Sequence, residues 1–155
     1  MTHVPVAVAL GSNVGDRQGH LDFAVRRLGA ILFDLRVSPF IETAPVGVAP
    51  QAPFLNGAAV GFCTSSPRTL LDTLLGIERD RGRERPYPGA PRSLDLDLIL
   101  FGDTVAEEPG LTVPHPRFRT RRFVLEPLAA IAADLLDPVT GKTVGELLAD
   151  LRRED

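Results

Sequence analysis

The chain has 155 residues, 44% hydrophobic and 24% charged, with one cysteine and a net charge of -3. Such a chain buries a real core as one domain, expected over residues 1–155, and general disorder is excluded. The charge offers no long-range pull on nucleic acid or an anionic membrane, and Cys63 alone excludes an internal disulfide framework and a thiolate-rich metal site.

Val4 to Leu10 is a short apolar, β-branched run stopped by Gly11-Ser12-Asn13, which predicts a buried strand entering a turn. No basic segment, apolar segment and cleavage site follow one another there, and no apolar run approaches the roughly 18 to 20 residues of a membrane span. A cytoplasmic protein is the expectation. Asp16 is placed to cap a helix over Arg17 to Leu32, where Leu21, Val25, Leu28 and Leu32 recur at helical spacing. Leu35 to Ile41 has strand length, and Val46 to Pro53 reads as a loop. Phe54 to Thr64 resumes β character, and Ser66-Pro67 opens a helix with a cap and a first-turn proline. Its expected buried stripe is Leu70, Leu71, Leu74, Leu75 and Ile77.

Arg79 to Pro91 is dense in arginine, glycine and proline and predicts a basic loop. Leu94 to Phe101 is a strand, Leu111 to Val113 a short one, and Arg121 to Ala133 and Thr143 to Leu151 have helical periodicity. Asp137-Pro138 and Thr140-Gly141 mark the turn between the last two helices. The order βαββαββαα predicts an α/β (α+β) fold: a ferredoxin-like α/β sandwich, its mainly antiparallel sheet carrying helices on its faces.

Asp95 and Asp97 lie two apart in Leu94-Asp95-Leu96-Asp97-Leu98, so a strand puts both carboxylates on one face, with Cα atoms about 7 Å apart. Alone, the pair reads more readily as the wet face of a half-buried strand than as a metal site. Arg92 and the arginines at 79, 81, 83 and 85 change the weighting. Guanidinium groups fork onto phosphate oxygens, while two carboxylates tolerate a polyphosphate only with cations between them, magnesium being the natural choice. His115 follows Pro114, with Arg117, Arg119, Arg121, Arg122 and Phe123 close behind; a structural histidine is the commoner case, and a phosphate donor fits better than zinc chemistry. Gly11-Ser12-Asn13-Val14-Gly15-Asp16 lacks the lysine of a Walker loop and reads as a strand-to-helix turn.

Several stretches together resemble the 6-hydroxymethyl-7,8-dihydropterin pyrophosphokinases of folate biosynthesis. They are Ala9-Leu10-Gly11-Ser12-Asn13 with Gly15-Asp16-Arg17, Glu42-Thr43-Ala44-Pro45-Val46-Gly47, Phe54-Leu55-Asn56, Ile77-Glu78 with Gly82-Arg83, Pro91-Arg92-Ser93-Leu94-Asp95-Leu96-Asp97, and Val113-Pro114-His115 with Arg121 and Phe123. The resemblance implies transfer of the terminal diphosphate of ATP to the pterin hydroxymethyl group, with AMP released. It implies two magnesium ions on Asp95 and Asp97, and Arg83 and Arg92 stabilising charge on the moving phosphates. Thr43, Pro45, Val46 and Asn56 would frame the pterin edge, with Phe54 and Phe123 stacking on its faces. Glu78, Arg83, Arg85, Arg92, Leu98, Thr112, His115 and Arg121 fall at nucleotide-contacting positions. Leu75, Pro88 and Pro116 depart from the commoner family residues, and the chain has no tryptophan. ATP and the pterin are the expected partners, with no nucleic acid, no membrane, and a monomer as the default.

Two other classes compete on the residues alone. A ferredoxin-like binding module would hold a nucleotide or RNA without chemistry, although the aspartate pair and net negative charge disfavour a phosphate backbone. A metal-dependent phosphohydrolase would use the same carboxylates to activate water. Pterin-dependent formation of AMP separates the transferase from both.

Overall fold

β1 (Val4–Ser12) is buried without a break from Val6 onward, because it lies inside the sheet with helices on both faces. The structure is a computed structural model, and it describes residues 3–43, 53–82 and 93–154. Asp16 accepts from the Gly19 amide at 3.0 Å and starts α1 (Arg17–Gly29), which buries Leu21, Ala24 and Leu28. The helix stops three residues short of Leu32; the amide of Ala30 turns back to Arg27 and Leu28, and β2 (Phe33–Val37) follows. Then come β3 (Ile41–Thr43), β4 (Phe54–Cys63), α2 (Pro67–Asp80) and β5 (Asp95–Phe101).

Ser66 caps α2 through the Thr69 amide at 3.1 Å, with Pro67 in the first turn as expected. Its buried stripe is Leu70, Leu74, Ile77 and Glu78. Leu75, expected to be buried, is 37% exposed, since it falls off that face, and a glutamate takes the position the apolar pattern leaves open. The helix also runs through Arg79 and Asp80, which the composition assigned to a loop. Tertiary contacts hold the last turn: Arg27 Nη1 donates to Asp80 Oδ2 at 2.7 Å, and the Arg81 guanidinium lies 5.0 Å over the Phe23 ring while Nε donates to His20 Nδ1 at 2.8 Å.

The strand order is β2-β4-β1-β5, with β3 added to β4, and the pairings are antiparallel. With α1 and α2, the strands β1, β2, β4 and β5 make the βαββαβ unit of a ferredoxin-like core. Val6, Val8, Leu10, Leu96 and Leu98 face α1 and α2. The other face carries Ala7, Ala9, Ala58, Val60, Ile99 and Leu100, covered by α3 (Arg122–Ala132) and α4 (Val144–Arg153). Each buried leucine or valine contributes about 1.5–3 kcal/mol. A hairpin of β6 (Ala106–Glu108) and β7 (Leu111–Val113) and a 3-10 turn (Phe118–Thr120) connect β5 to α3. β3 and β6 extend the order expected from the sequence. Among the described residues no helix is long and apolar enough to cross a membrane.

Candidate functional site

Antiparallel register lines up one row of side chains across four strands: Ile41 opposite Asn56, Asn56 opposite Gly11, and Gly11 opposite Asp95. The next row sets Asp97 beside Ala9 and Ala58. Registered partners share a face, so Phe54, Asn56, Asp95 and Asp97 project on the side of the sheet that α3 covers farther along. Gly11 is the gap in this row. A Cβ there would meet Asn56 Oδ1 at 2.8 Å and Phe54 Cδ1 at 3.6 Å, so only glycine lets both side chains lie over β1. The sequence reading placed Gly11 in a turn; it is a strand residue whose missing side chain makes room.

Asn56 is 7% exposed, and its Nδ2 donates to Thr43 Oγ1, which aims Oδ1 toward Gly11 and β5. Arg17 Nη1 holds the strands at this end, 2.8 Å from the Pro53 carbonyl and 2.8 Å from Glu42 Oε1. One arginine at the start of α1 therefore fixes the bases of β3 and β4 together.

Asp95 and Asp97 are half-buried, with Leu96 between them in the opposite core. The Leu96 amide donates to Glu78 Oε2 at 2.7 Å, and Glu78 is 2% exposed. A buried carboxylate from α2 thus grips the peptide between the two aspartates at the outer strand of the sheet. Among the described residues no three His, Cys, Asp or Glu side chains converge on one point. Two carboxylates fit magnesium with a polyphosphate, since this ion takes one or two carboxylates and completes its shell from phosphates and water.

The His115 amide donates to the Ile99 carbonyl at 2.9 Å, placing the ring beside β5. Burial lowers the pKa of His115, the Arg121 and Arg117 charges lower it further, and Asp95 opposes them. Nδ1 accepts from the Arg117 amide at 3.2 Å, so the neutral ring carries its proton on Nε2 and offers a donor. Arg121 stands at the N-cap of α3 with its guanidinium 5.5 Å over Phe123, which is half-buried.

The structure brings together Thr43, Phe54, Asn56, Asp95 and Asp97 at one end of the sheet, with His115 near Asp95 and Arg121 over Phe123. Leu98 has its side chain in the opposite core, leaving only its main chain for a ligand, and Thr112 is exposed on β7 opposite Glu107. Pro45, Val46, Arg83, Arg85 and Arg92, with Pro88, lie outside the described residues. Gly11 and Arg17 stand in the family-like stretches with no role assigned from the sequence; the structure shows Gly11 leaving room for Asn56 and Phe54, and Arg17 bridging Glu42 and the Pro53 carbonyl. The available signal for the first was a glycine directly after a β-branched run, which marks close backbone approach as readily as a turn.

Residues 7–133 match the family model described as 7,8-dihydro-6-hydroxymethylpterin-pyrophosphokinase. The chain is 42% identical to a Pseudomonas aeruginosa 2-amino-4-hydroxy-6-hydroxymethyldihydropteridine pyrophosphokinase, over 93% of this chain and 90% of that protein. It is 44% identical to the protein of the same name from Bacillus subtilis, over 80% and 75%. Among solved structures, a Plasmodium falciparum HPPK-DHPS triple mutant with pteroate superposes with a TM-score of 0.77 at 13% identity, over 99% of this chain and 44% of that one. The chain thus spans less than half of that solved chain, and this likeness speaks for the fold. A family match that takes in Gly11, Asn56, Asp95, Asp97 and His115 makes the chain a member of the 7,8-dihydro-6-hydroxymethylpterin pyrophosphokinase family.

Proposed function

We infer that this chain transfers the terminal diphosphate of ATP to the hydroxymethyl group of 6-hydroxymethyl-7,8-dihydropterin, a reaction of folate biosynthesis, with Asp95 and Asp97 holding two magnesium ions. The hydroxyl oxygen attacks the β-phosphorus and the bond to the α-phosphate oxygen breaks. AMP leaves with that oxygen, and the hydroxyl proton is released. The observation that carries this reading is the row Asn56-Gly11-Asp95. Two strand spacings, about 9.5 Å, separate an amide suited to a heterocycle edge from a carboxylate suited to a cation-bound phosphate. A bicyclic ring with its hydroxymethyl arm spans that gap.

Magnesium held at Asp95 and Asp97 supplies charge neutralisation of the triphosphate and a lower pKa for the attacking hydroxyl. Glu78 keeps the two carboxylates in register by fixing the Leu96 peptide. Asn56 Oδ1 accepts from the pterin edge while Thr43 holds the amide, and Phe54 and Phe123 close on the ring faces. The neutral His115 ring donates from Nε2 to a nucleotide phosphate, and Arg121 adds a fixed positive charge beside it. Arg83 and Arg92 take the charge of the moving phosphates, Arg85 assists at the nucleotide, and Pro45 and Val46 complete the pterin edge. The protein works as a single-domain monomer in the cytoplasm.

The test is AMP release from ATP with the pterin present or left out, with and without magnesium. AMP and the pterin diphosphate appearing together, and only with all components, support the reading. Phosphate release without the pterin supports a hydrolase, and nucleotide binding with no AMP supports a binding module.

A further inference from the structure

His115 and Arg121 stand on backbone that belongs to no sheet, between β7 and α3, with the 3-10 turn Phe118–Thr120 between them. Phe118 is fully buried with α3 and α4, which fixes the depth of the turn. Its own hydrogen bonds are long: the Thr120 and Arg121 amides reach the Arg117 and Phe118 carbonyls at 3.3 Å, and no side chain caps α3. A three-residue 3-10 turn closed that way is weakly self-supporting.

Arg119 supplies what is missing. Its Nε donates to Asp137 Oδ2 at 2.6 Å and its Nη2 donates to Oδ1 at 3.0 Å, while the guanidinium lies 4.9 Å over the Phe118 ring. Asp137, in the turn between α3 and α4, has a fully buried side chain and also accepts from the Val139 amide at 3.0 Å and the Thr140 hydroxyl at 2.8 Å. Burial alone would raise its pKa, but the bonds from Arg119, Thr140 and Val139 hold it below the ordinary carboxylate value. A buried ion pair contributes little net stability compared with an apolar pair of the same shape, so its forked geometry is what it adds here.

We propose that Arg119 and Asp137 form a positioning pair for the nucleotide side of the site, through which the α3–α4 turn fixes the 3-10 turn that spaces His115 from Arg121. Asp137 lies past residue 133, where the match to the family model ends, so the pair ties a segment outside that model to the site. Phe123 is packed within α3 against the second core, so a swing of the 3-10 turn moves Arg121 more than the pterin side. The inference rests on the proposed reading in assigning His115 and Arg121 to the nucleotide.

The test uses the full chain, with Arg119→Lys and Asp137→Asn. Calorimetry gives the affinity for magnesium α,β-methylene-ATP and, separately, for 6-hydroxymethyl-7,8-dihydropterin, below the melting temperature of each variant; steady-state assays give KM for ATP against kcat. The expected result is a roughly tenfold loss of nucleotide affinity with a matching rise in KM for ATP, and pterin affinity within about twofold, since small displacements of a binding group cost this much. Unchanged affinities in folded variants, or equal loss for both ligands, overturn the proposal. Arg119→Lys decides alone if Asp137→Asn fails to fold, because the Arg119 side chain is 25% exposed and lysine keeps a charge for Asp137. Nucleotide binding by an unchanged protein that makes no AMP overturns the reaction reading and leaves this test standing, whereas no nucleotide binding at all overturns both.

Discussion

Replacing Gly11 by alanine puts one methyl group into the row that joins the two halves of the site. The new Cβ would sit 2.8 Å from Asn56 Oδ1, and ordinary contact starts at 3.4 Å, so the amide must retreat by about 0.6 Å. Its other end is tied to Thr43, so the retreat turns the amide or breaks that bond. Overpacking of this kind costs about 1–3 kcal/mol. Alanine in a strand ordinarily gains about 0.5–1 kcal/mol over glycine, so a net loss points to the collision and not to backbone entropy. A binding group misplaced by 1 Å costs up to about 100-fold, so a shift of this size predicts roughly tenfold weaker pterin binding. Calorimetry of Gly11→Ala with the pterin and with magnesium ATP checks it; ATP affinity should hold within about twofold. Unchanged pterin affinity in a folded variant, or an equal loss for both substrates, refutes the reasoning.

Asp97→Asn keeps shape and loses charge; turnover should fall at least about 100-fold, with stability within about 0.5 kcal/mol by chemical denaturation. Unfolding of the variant would count against a functional role. Glu78→Ala leaves the buried Leu96 amide without its acceptor and should cost about 1–3 kcal/mol, while Glu78→Gln retains an acceptor and should cost less; equal stabilities of the two would sink the strand-gripping role. The His115 imidazole should titrate below the ordinary 6.5, because burial and then Arg121 and Arg117 disfavour the charged ring. The stability this group contributes is complete above 6.5 and is lost as pH falls through the lowered value. A ring-proton NMR titration with a midpoint at or above 6.5 contradicts it. Asp137 follows the same sign at lower pH: with its pKa held below 3.8 in the fold, its contribution is complete above 3.8 and lost on further acidification, which acid unfolding of the unchanged protein against Asp137→Asn measures.

The long elements were legible because each carries its own period and its own stop. Asp16 and Ser66 cap the helices where the sequence placed them, and the run after Val4 became the interior strand. β3 and β6 were not, since three residues hold no period and pair only because β4 and β7 lie alongside. Arg79 and Asp80 looked like loop by composition, and contacts from α1, 53 positions away for the Arg27–Asp80 pair, made them helix. The aspartate pair was legible because period two fixes a face without any partner. The amide row was not, because Asn56, Gly11 and Asp95 meet through strand register, which no local window contains.

Under the proposed assignment of Asn56 to the pterin and Asp95 to the phosphates, that same register would couple the two ends of the site mechanically and leave them separable in a mutational experiment. Asn56 and Asp95 never share a strand; each is held by its own device, Thr43 for the amide and Glu78 acting on Leu96 for the carboxylates. Between them stands only the backbone of β1, stiff because it is paired on both sides and buried on both faces. A change to one device therefore alters one substrate's affinity, while a change to β1 itself that left both devices intact would alter the distance between the reacting hydroxyl and the phosphate. Substitutions at Thr43 should thus raise KM for the pterin alone, while a substitution that shifts β1 and leaves both devices intact should lower kcat with both binding constants unchanged.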